Sequence, residues 1–306
     1  MNLMKYKRFI LMFLPAIFSL SCTLNADTIW LAPNDSTTQV QNWYVKSVEK
    51  LRGEVKQFDD KAIIIIEESS SREVRHVSSR VLWIEWDDQS DLDKQLCSAF
   101  ANGRDQEVLA GLSEVLNQRP PVWRQQWLTM LGTVSAWRTH RGRISLELVS
   151  QLDKRPLPLM AVAWLPISWT NRVETDVVVR DAVDRIDDPS ELVRLAASSW
   201  LLTSAHRKLA IETLERLMQS ERKEVALLAE TLSWRIKSPI EVKQSVKQWK
   251  EFVANLPLVL QTGPIILLRD KLESAGDEST AKLLEWSLDV SPLMDELIWM
   301  DGRSLR

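Results

Sequence analysis

Few residues of this chain have the type and spacing to do chemistry. They are three histidines, two cysteines, a handful of acid pairs and 14 tryptophans. His76, His140 and His206 lie far apart, and none has a second His, Cys or carboxylate at metal-ligand spacing. The acid pairs Asp59-Asp60, Glu67-Glu68, Asp87-Asp88 and Asp187-Asp188 fall between apolar runs, where solvated turns and helix caps account for them. A nucleophile elbow, a P-loop and a dinucleotide fingerprint are all missing from the sequence. Glycine totals only 8, too few for glycine-rich phosphate cradles. The sequence therefore assigns no catalytic, cofactor-binding or metal-binding residue, and no cofactor is expected.

Tryptophan is the unusual count: 14, against 2 Tyr and 6 Phe. Trp123, Trp127, Trp137, Trp200, Trp234, Trp249 and Trp286 fall at helical core spacing, and each indole buries on the order of 150–250 Å². Packing is their first use. The alternative use is an aromatic groove for a peptide or glycan, and Trp43, Trp83 and Trp86 are its candidates.

The cysteines bear on destination. Lys5, Lys7 and Arg8 precede an apolar run from Phe9 to Leu20, followed by small residues up to Ala26. Basic, then apolar, then small is the layout of a secretory signal, so residues 1–26 are expected to be a signal peptide and the chain to be exported to the periplasm or cell envelope. Cleavage after Ala26 is one exit. The other is lipidation of Cys22 in Ser19-Leu20-Ser21-Cys22, which would tether the protein to a membrane. After cleavage only Cys97 remains, on an apolar helix face with Leu92, Leu96 and Phe100, where a small buried hydrophobe is expected. Loss of the three leader bases takes the formal charge from −3 to −6, which argues against a nucleic-acid partner.

The elements that must position these residues change character near residue 90. From Asp27 to Asp88 the runs are short and β-branched: VEKLRGEVKQ, Ile63 to Ile66, Arg72 to Val77 and Val81 to Trp86. Strands this short need a closed or covered sheet, so residues 27–88 are expected to form a small barrel of about five strands. From Asp91 the apolar period becomes 3.6. Helices are expected at Leu92–Ala101, Gln106–Leu116, Val122–Arg138, Ile144–Leu152 and Val173–Ile186. The last of these should carry Val177, Val178, Val183 and Ile186 inward. Pro156 to Trp169 is the most apolar stretch after the leader and belongs inside, joining two helical halves, 91–169 and 173–306. From Asp187 to Trp234, three successive apolar stripes must bury against one another, the logic of stacked helical hairpins. Asp188 is expected to cap the first and Pro189 to open it.

Some of these motifs resemble known families. Leu51-x-Gly53, Phe58-Asp59 and the β-branched strand that follows resemble Sm-like and SH3-like barrels. That likeness implies RNA or peptide binding, although residues 27–90 hold twelve acids against eight bases, the wrong balance for phosphate. Residues 91–169 resemble tetratricopeptide-type hairpins. Asp188 to Ala197 resembles the first helix of a HEAT repeat, with a weaker echo at Lys223 to Ala229. The overall layout resembles a group of exported planctomycete proteins, through Arg80 to Glu85, Leu165 to Trp169 and Ala197 to Leu202. The likeness implies an architecture and a compartment, without a reaction or a ligand.

The expectation is thus a mainly α chain, an α-solenoid of HEAT/TPR-like hairpins preceded by a small all-β barrel-like module. Its expected role is a non-enzymatic protein-interaction or scaffold protein of the cell envelope, with another protein as partner. The alternative is a cell-envelope enzyme acting on glycan or peptide.

Overall fold

A computed structural model describes residues 26–33, 48–289 and Ser291. The leader, Cys22 and Trp43 lie outside these residues. The chain is mainly helical, with a five-stranded antiparallel sheet at its N-terminal end.

The strands are β1 (Asp27–Leu31), β2 (Glu49–Phe58), β3 (Ala62–Glu67), β4 (Glu73–Val77) and β5 (Val81–Glu85), in the order β4-β3-β2-β1-β5. Asp59 makes the β2–β3 turn: its Oδ1 accepts the amide N–H groups of Lys61 and Ala62, each at 2.9 Å. At Gly53 the strands approach closely, and a Cβ there would sit 2.3 Å from the carbonyl oxygen of Ile66. Ile29, Leu31, Ile63, Ile65 and Ile84 are buried to 2 % exposure or less and form the sheet's core.

The expected barrel does not close. β4 pairs only with β3, and β5 only with β1. The reason is compositional. β4 reads Glu-Val-Arg-His-Val and buries none of its five residues, so it brings no apolar face to cover β5. Helices cover the β5 end instead.

Twelve α-helices follow among the described residues: α1 (Asp91–Ala101), α2 (Asp105–Asn117), α3 (Val122–Arg138), α4 (Gly142–Leu152), α5 (Leu159–Ala163), α6 (Asp176–Asp184), α7 (Glu191–Leu201), α8 (Arg207–Leu217), α9 (Lys223–Ser233), α10 (Pro239–Ala254), α11 (Thr262–Ser274) and α12 (Glu278–Asp289). Most pack on the next in sequence, as single apolar stripes require. The 3₁₀ turn Leu258–Leu260 departs from that order and packs on α5 and β5. No described helix is long and apolar enough to cross a membrane.

Local chemistry fixes the helix starts. Ser90 and Asp93 form a reciprocal capping box on α1, and Ser238 and Glu241 form another on α10. For α7 the cap is Ser190, not Asp188: the Ser190 hydroxyl accepts the Val193 N–H at 3.2 Å. Asp188 stands one turn earlier, accepting the Ser190 N–H and pairing with Arg185 at 2.9 Å. In α6 the inward line is Val178 and Ala182, continued by Ile186. Val177, expected inside, is 47 % exposed because neighbours in a helix differ by about 100°.

A buried polar knot ties the 156–169 segment to α7. Trp200 Nε1 donates to the Pro166 carbonyl at 2.6 Å, and the Ser199 hydroxyl accepts the Ser168 N–H at 3.0 Å. The Arg235 guanidinium, 5 % exposed, donates to the carbonyls of Ser168 and Ser199 at 2.8 and 2.6 Å. Burial lowers Arg235 to about 10, opposed by the charge of Glu174. Burial in turn raises the Glu174 carboxyl above its ordinary range, against Arg172 and the Trp137 indole.

Candidate functional site

Between the sheet and the helices lies an open cavity of about 400 Å³. It starts with the two strands at the open end of the sheet. Trp30 on β1 and Trp83 on β5 are cross-strand partners, so both project from the same face. That face is opposite the one carrying Ile29, Leu31, Leu82 and Ile84. The strands are thus apolar on both sides, one for the sheet's own core and one for the helices.

The helical wall comes from α1, α3 and the residue after α5. Trp127 of α3 meets Trp83 edge-on, centroids 5.0 Å apart at 85°. Trp164 meets Trp127 edge-on at 5.3 Å and 81°, and lies 6.4 Å from Trp83. Phe100 of α1 packs on Trp164 at 6.1 Å. Edge-to-face pairs are the favoured aromatic geometry, adding about 0.5–1.5 kcal/mol each beyond area burial. Trp86, just past β5, lines the cavity and packs edge-on against Trp123 at 5.8 Å.

Polar groups are few. Glu85 and Gln89 are the polar side chains of the lining, with the indole N–H groups and Cys97 beside them. Glu85 is exposed and has no ion-pair or hydrogen-bond partner among the described residues. The indole Nε1 atoms of Trp30 and Trp86 are buried and, among the described residues, unpartnered. Cys97 is half-buried, and burial, reinforced by Asp93, pushes its thiol up to about 12. Two indoles already carry a cation of the chain. Lys50 Nζ sits 4.2 Å from the Trp30 ring centroid, and the Arg124 guanidinium sits 5.3 Å from that of Trp86. Arg124 also pairs with Asp88 at 2.5 Å.

Of the three tryptophans singled out in sequence, Trp83 and Trp86 meet at this cavity. Trp30, Trp127 and Trp164 belong with them and went unassigned to a site. A signal for two of them exists: Thr28-Ile29-Trp30-Leu31 and Leu82-Trp83-Ile84 place an indole between two aliphatics, marking a strand with two apolar faces.

Other expectations from the sequence differ from the structure. Trp286, expected in the core, is 55 % exposed on α12. Helical spacing marks a stripe, and α12 ends the described stack with nothing described beyond it. His140 and His206 are exposed at helix junctions, but His76 is half-buried in β4, where burial lowers its pKa. Among the described residues no group of three His, Cys, Asp or Glu could hold a metal ion. Comparison with family models, with curated proteins and with solved structures gives no match for this chain.

Proposed function

We propose that this chain is a non-enzymatic binding protein whose ligand site is the tryptophan-walled cavity between sheet and helices. The cavity carries the reading. Its volume falls within the roughly 300–1,000 Å³ range of small-ligand pockets, and its walls are apolar and aromatic with few polar groups. The neighbour-on-neighbour helices form an α-solenoid platform for a protein partner, and the leader directs the chain to the cell envelope. A glycan-cleaving enzyme would need two carboxylates facing one another. The lining of this cavity supplies one, Glu85.

The test is a small-fragment screen by ligand-observed NMR on the wild-type chain and on Ala101→Trp. Ala101 is exposed at the end of α1 and lines the cavity, so the larger side chain plugs it without entering the core. Apolar fragments are expected to bind the wild type and to lose at least tenfold in affinity on the plugged variant. Equal binding to both, or no binding to either, removes the cavity as a ligand site.

A further inference from the structure

We infer that the ligand of this cavity is a small soluble amphiphile with one negative charge, of the medium-chain carboxylate type, its apolar body in the cavity and its carboxylate on Lys50 at the rim. The inference rests on the reading of the cavity as a binding site and adds its chemical class. Strand register carries it. Lys50 on β2 is the cross-strand partner of Trp30 on β1, and Trp30 is the partner of Trp83 on β5. Directly opposed residues project from the same face, so an ammonium and two cavity-lining indoles form one row across three strands. Val48, two residues before Lys50, also lines the cavity. Lys50 is exposed and, among the described residues, has no carboxylate partner; its Nζ rests 4.2 Å from the Trp30 ring centroid. Neighbouring cations are taken: Arg52, next on that face of β2, pairs with Glu68 and Asp87 at 3.4 and 3.5 Å, and Arg124 pairs with Asp88.

The walls agree on sign. Trp30 and Trp86 hold buried indole N–H donors without an acceptor among the described residues. The edge-on contacts of Trp127 with Trp83 and Trp164 spend ring faces on ring edges, and the edge is the positive part of an aromatic ring. A cation would meet no open face and a second cation at the rim, whereas an acceptor meets donors.

Glu85 sets the orientation. It is opposite Thr28, two residues along β1 from Trp30, while Lys50 stands on the far side of β1. With strands about 4.8 Å apart and a rise of about 3.4 Å per residue, their Cα atoms are roughly 12 Å apart. A carboxylate head is drawn to the Lys50 end and repelled from the Glu85 end. The interior does not accept it: burial, with Asp93, pushes the Cys97 thiol up to about 12. The apolar chain, not the head, therefore lies under the indoles. One ammonium matches one negative charge, not the −1.5 to −2 or so of a phosphate monoester. A membrane lipid is disfavoured by position, since Trp86, Trp127 and Trp164 are each 6 % exposed or less, between two layers of the fold.

The experiment titrates the full chain with octanoate, octan-1-ol and octylammonium, three ligands of one chain length and different head charge. Saturation transfer to the ligand protons is read at about pH 8, where the acid is ionised and the amine protonated. Octanoate is expected to bind about fivefold more tightly than octylammonium, the upper range for an exposed ion pair. Lys50→Gln, on an exposed site, should weaken octanoate by about the same factor and leave octan-1-ol unchanged, and Lys50→Arg should restore octanoate. Octanoate bound no better than octylammonium, or unaffected by Lys50→Gln, overturns the charge assignment. Octan-1-ol binding that Ala101→Trp abolishes then leaves the cavity standing as a site. Octanoate binding undiminished in Ala101→Trp overturns the placement of its chain. If none of the three binds while neutral fragments do, the amphiphile falls alone; if fragments fail as well, the cavity falls with it. Sedimentation with phosphatidylglycerol vesicles, without binding of free octanoate, overturns the soluble source.

Discussion

Gly263 is where ordinary helix propensity and the packing of this chain disagree. A glycine in a helix costs roughly 1 kcal/mol relative to alanine, so Gly263→Ala in α11 should stabilise an isolated helix. In the folded chain a Cβ at Gly263 would lie 2.1 Å from Cε2, 2.4 Å from Nε1 and 2.6 Å from Cδ2 of Trp169. Carbon atoms in contact prefer about 3.5–4.0 Å. The indole would have to retreat by about 1.4 Å or more, and Trp169 is only 5 % exposed, with Ser168 beside it bonded to Arg235 and Ser199. Overpacking a filled site costs about 1–3 kcal/mol, and a displacement this large belongs at the upper end. Against the gain of about 1 kcal/mol in propensity, the net expectation is a loss of about 2 kcal/mol. In a Trp169→Leu background the obstacle is gone and the same substitution should gain up to about 1 kcal/mol, a coupling of about 3 kcal/mol between two touching sites. Equilibrium urea unfolding of the four proteins reads this as midpoint shifts at constant slope. A Gly263→Ala midpoint above wild type, or the same drop in both backgrounds, would refute the reasoning.

Arg235→Met removes the cation that holds the buried carbonyls of Ser168 and Ser199, so thermal unfolding should register a loss of about 1–3 kcal/mol for each carbonyl left without a donor, and an unchanged midpoint would contradict the role given to that guanidinium. Burial raises Glu174 above its ordinary value of 4.5, so the folded state holds its proton longer than the unfolded chain does. Its contribution is therefore full below the unfolded value and lost as pH rises through the folded one, and the stability of Glu174→Gln relative to wild type should climb across that window. A flat difference from pH 4 to 8 (about the range accessible to the measurement) would remove the shift. In a Cys22→Ser chain, a Cys97 thiol at about 12 instead of 9.0 should alkylate with iodoacetamide on the order of a thousandfold more slowly at pH 8, the rate still rising beyond pH 10. Rapid labelling with a plateau near pH 9 would count against that burial. Trp200→Ala should cost about 3–5 kcal/mol, whereas Trp286→Ala, on an exposed site, should stay within about 0.5 kcal/mol by chemical denaturation.

The helical part was readable because apolar residues recur with a 3.6 period, although α7 is buried residue after residue from Leu192 to Trp200 except at Arg194, more completely than one stripe requires, while α8 buries a single stripe of Ala210, Thr213, Leu214 and Leu217. Boundaries were harder. Asp188 and Ser190 are both good caps, and only geometry shows that the Ser190 hydroxyl reaches the Val193 amide while Asp188 supports it from the preceding turn. Val177 and Val178 are chemically identical, yet α6 buries one and exposes the other, since a short helix with three consecutive valines has no unique phase. Sheet closure was illegible for a related reason. Strand length and β-branching say that strands form, but closing β4 against β5 requires β4 to offer an apolar face, and its residues alternate between exposed and half-buried.

The site follows from the failure to close. Were the free edge of β5 paired with β4, Trp83 would have had a strand neighbour on both sides and not only Trp30. With β5 at the edge, its outward face falls to Trp127 and Trp164, two indoles from segments 37 residues apart in sequence. Rigid planar rings meeting edge-on do not fill the space between a twisted sheet and straight helices as aliphatic chains would, and the gap of about 400 Å³ lies where they converge. Leucine at Trp83, Trp127 and Trp164 would have made a simpler interface from smaller, more adaptable side chains. Indoles at all three positions, in place of aliphatic side chains, account for the gap left at the junction between the two layers.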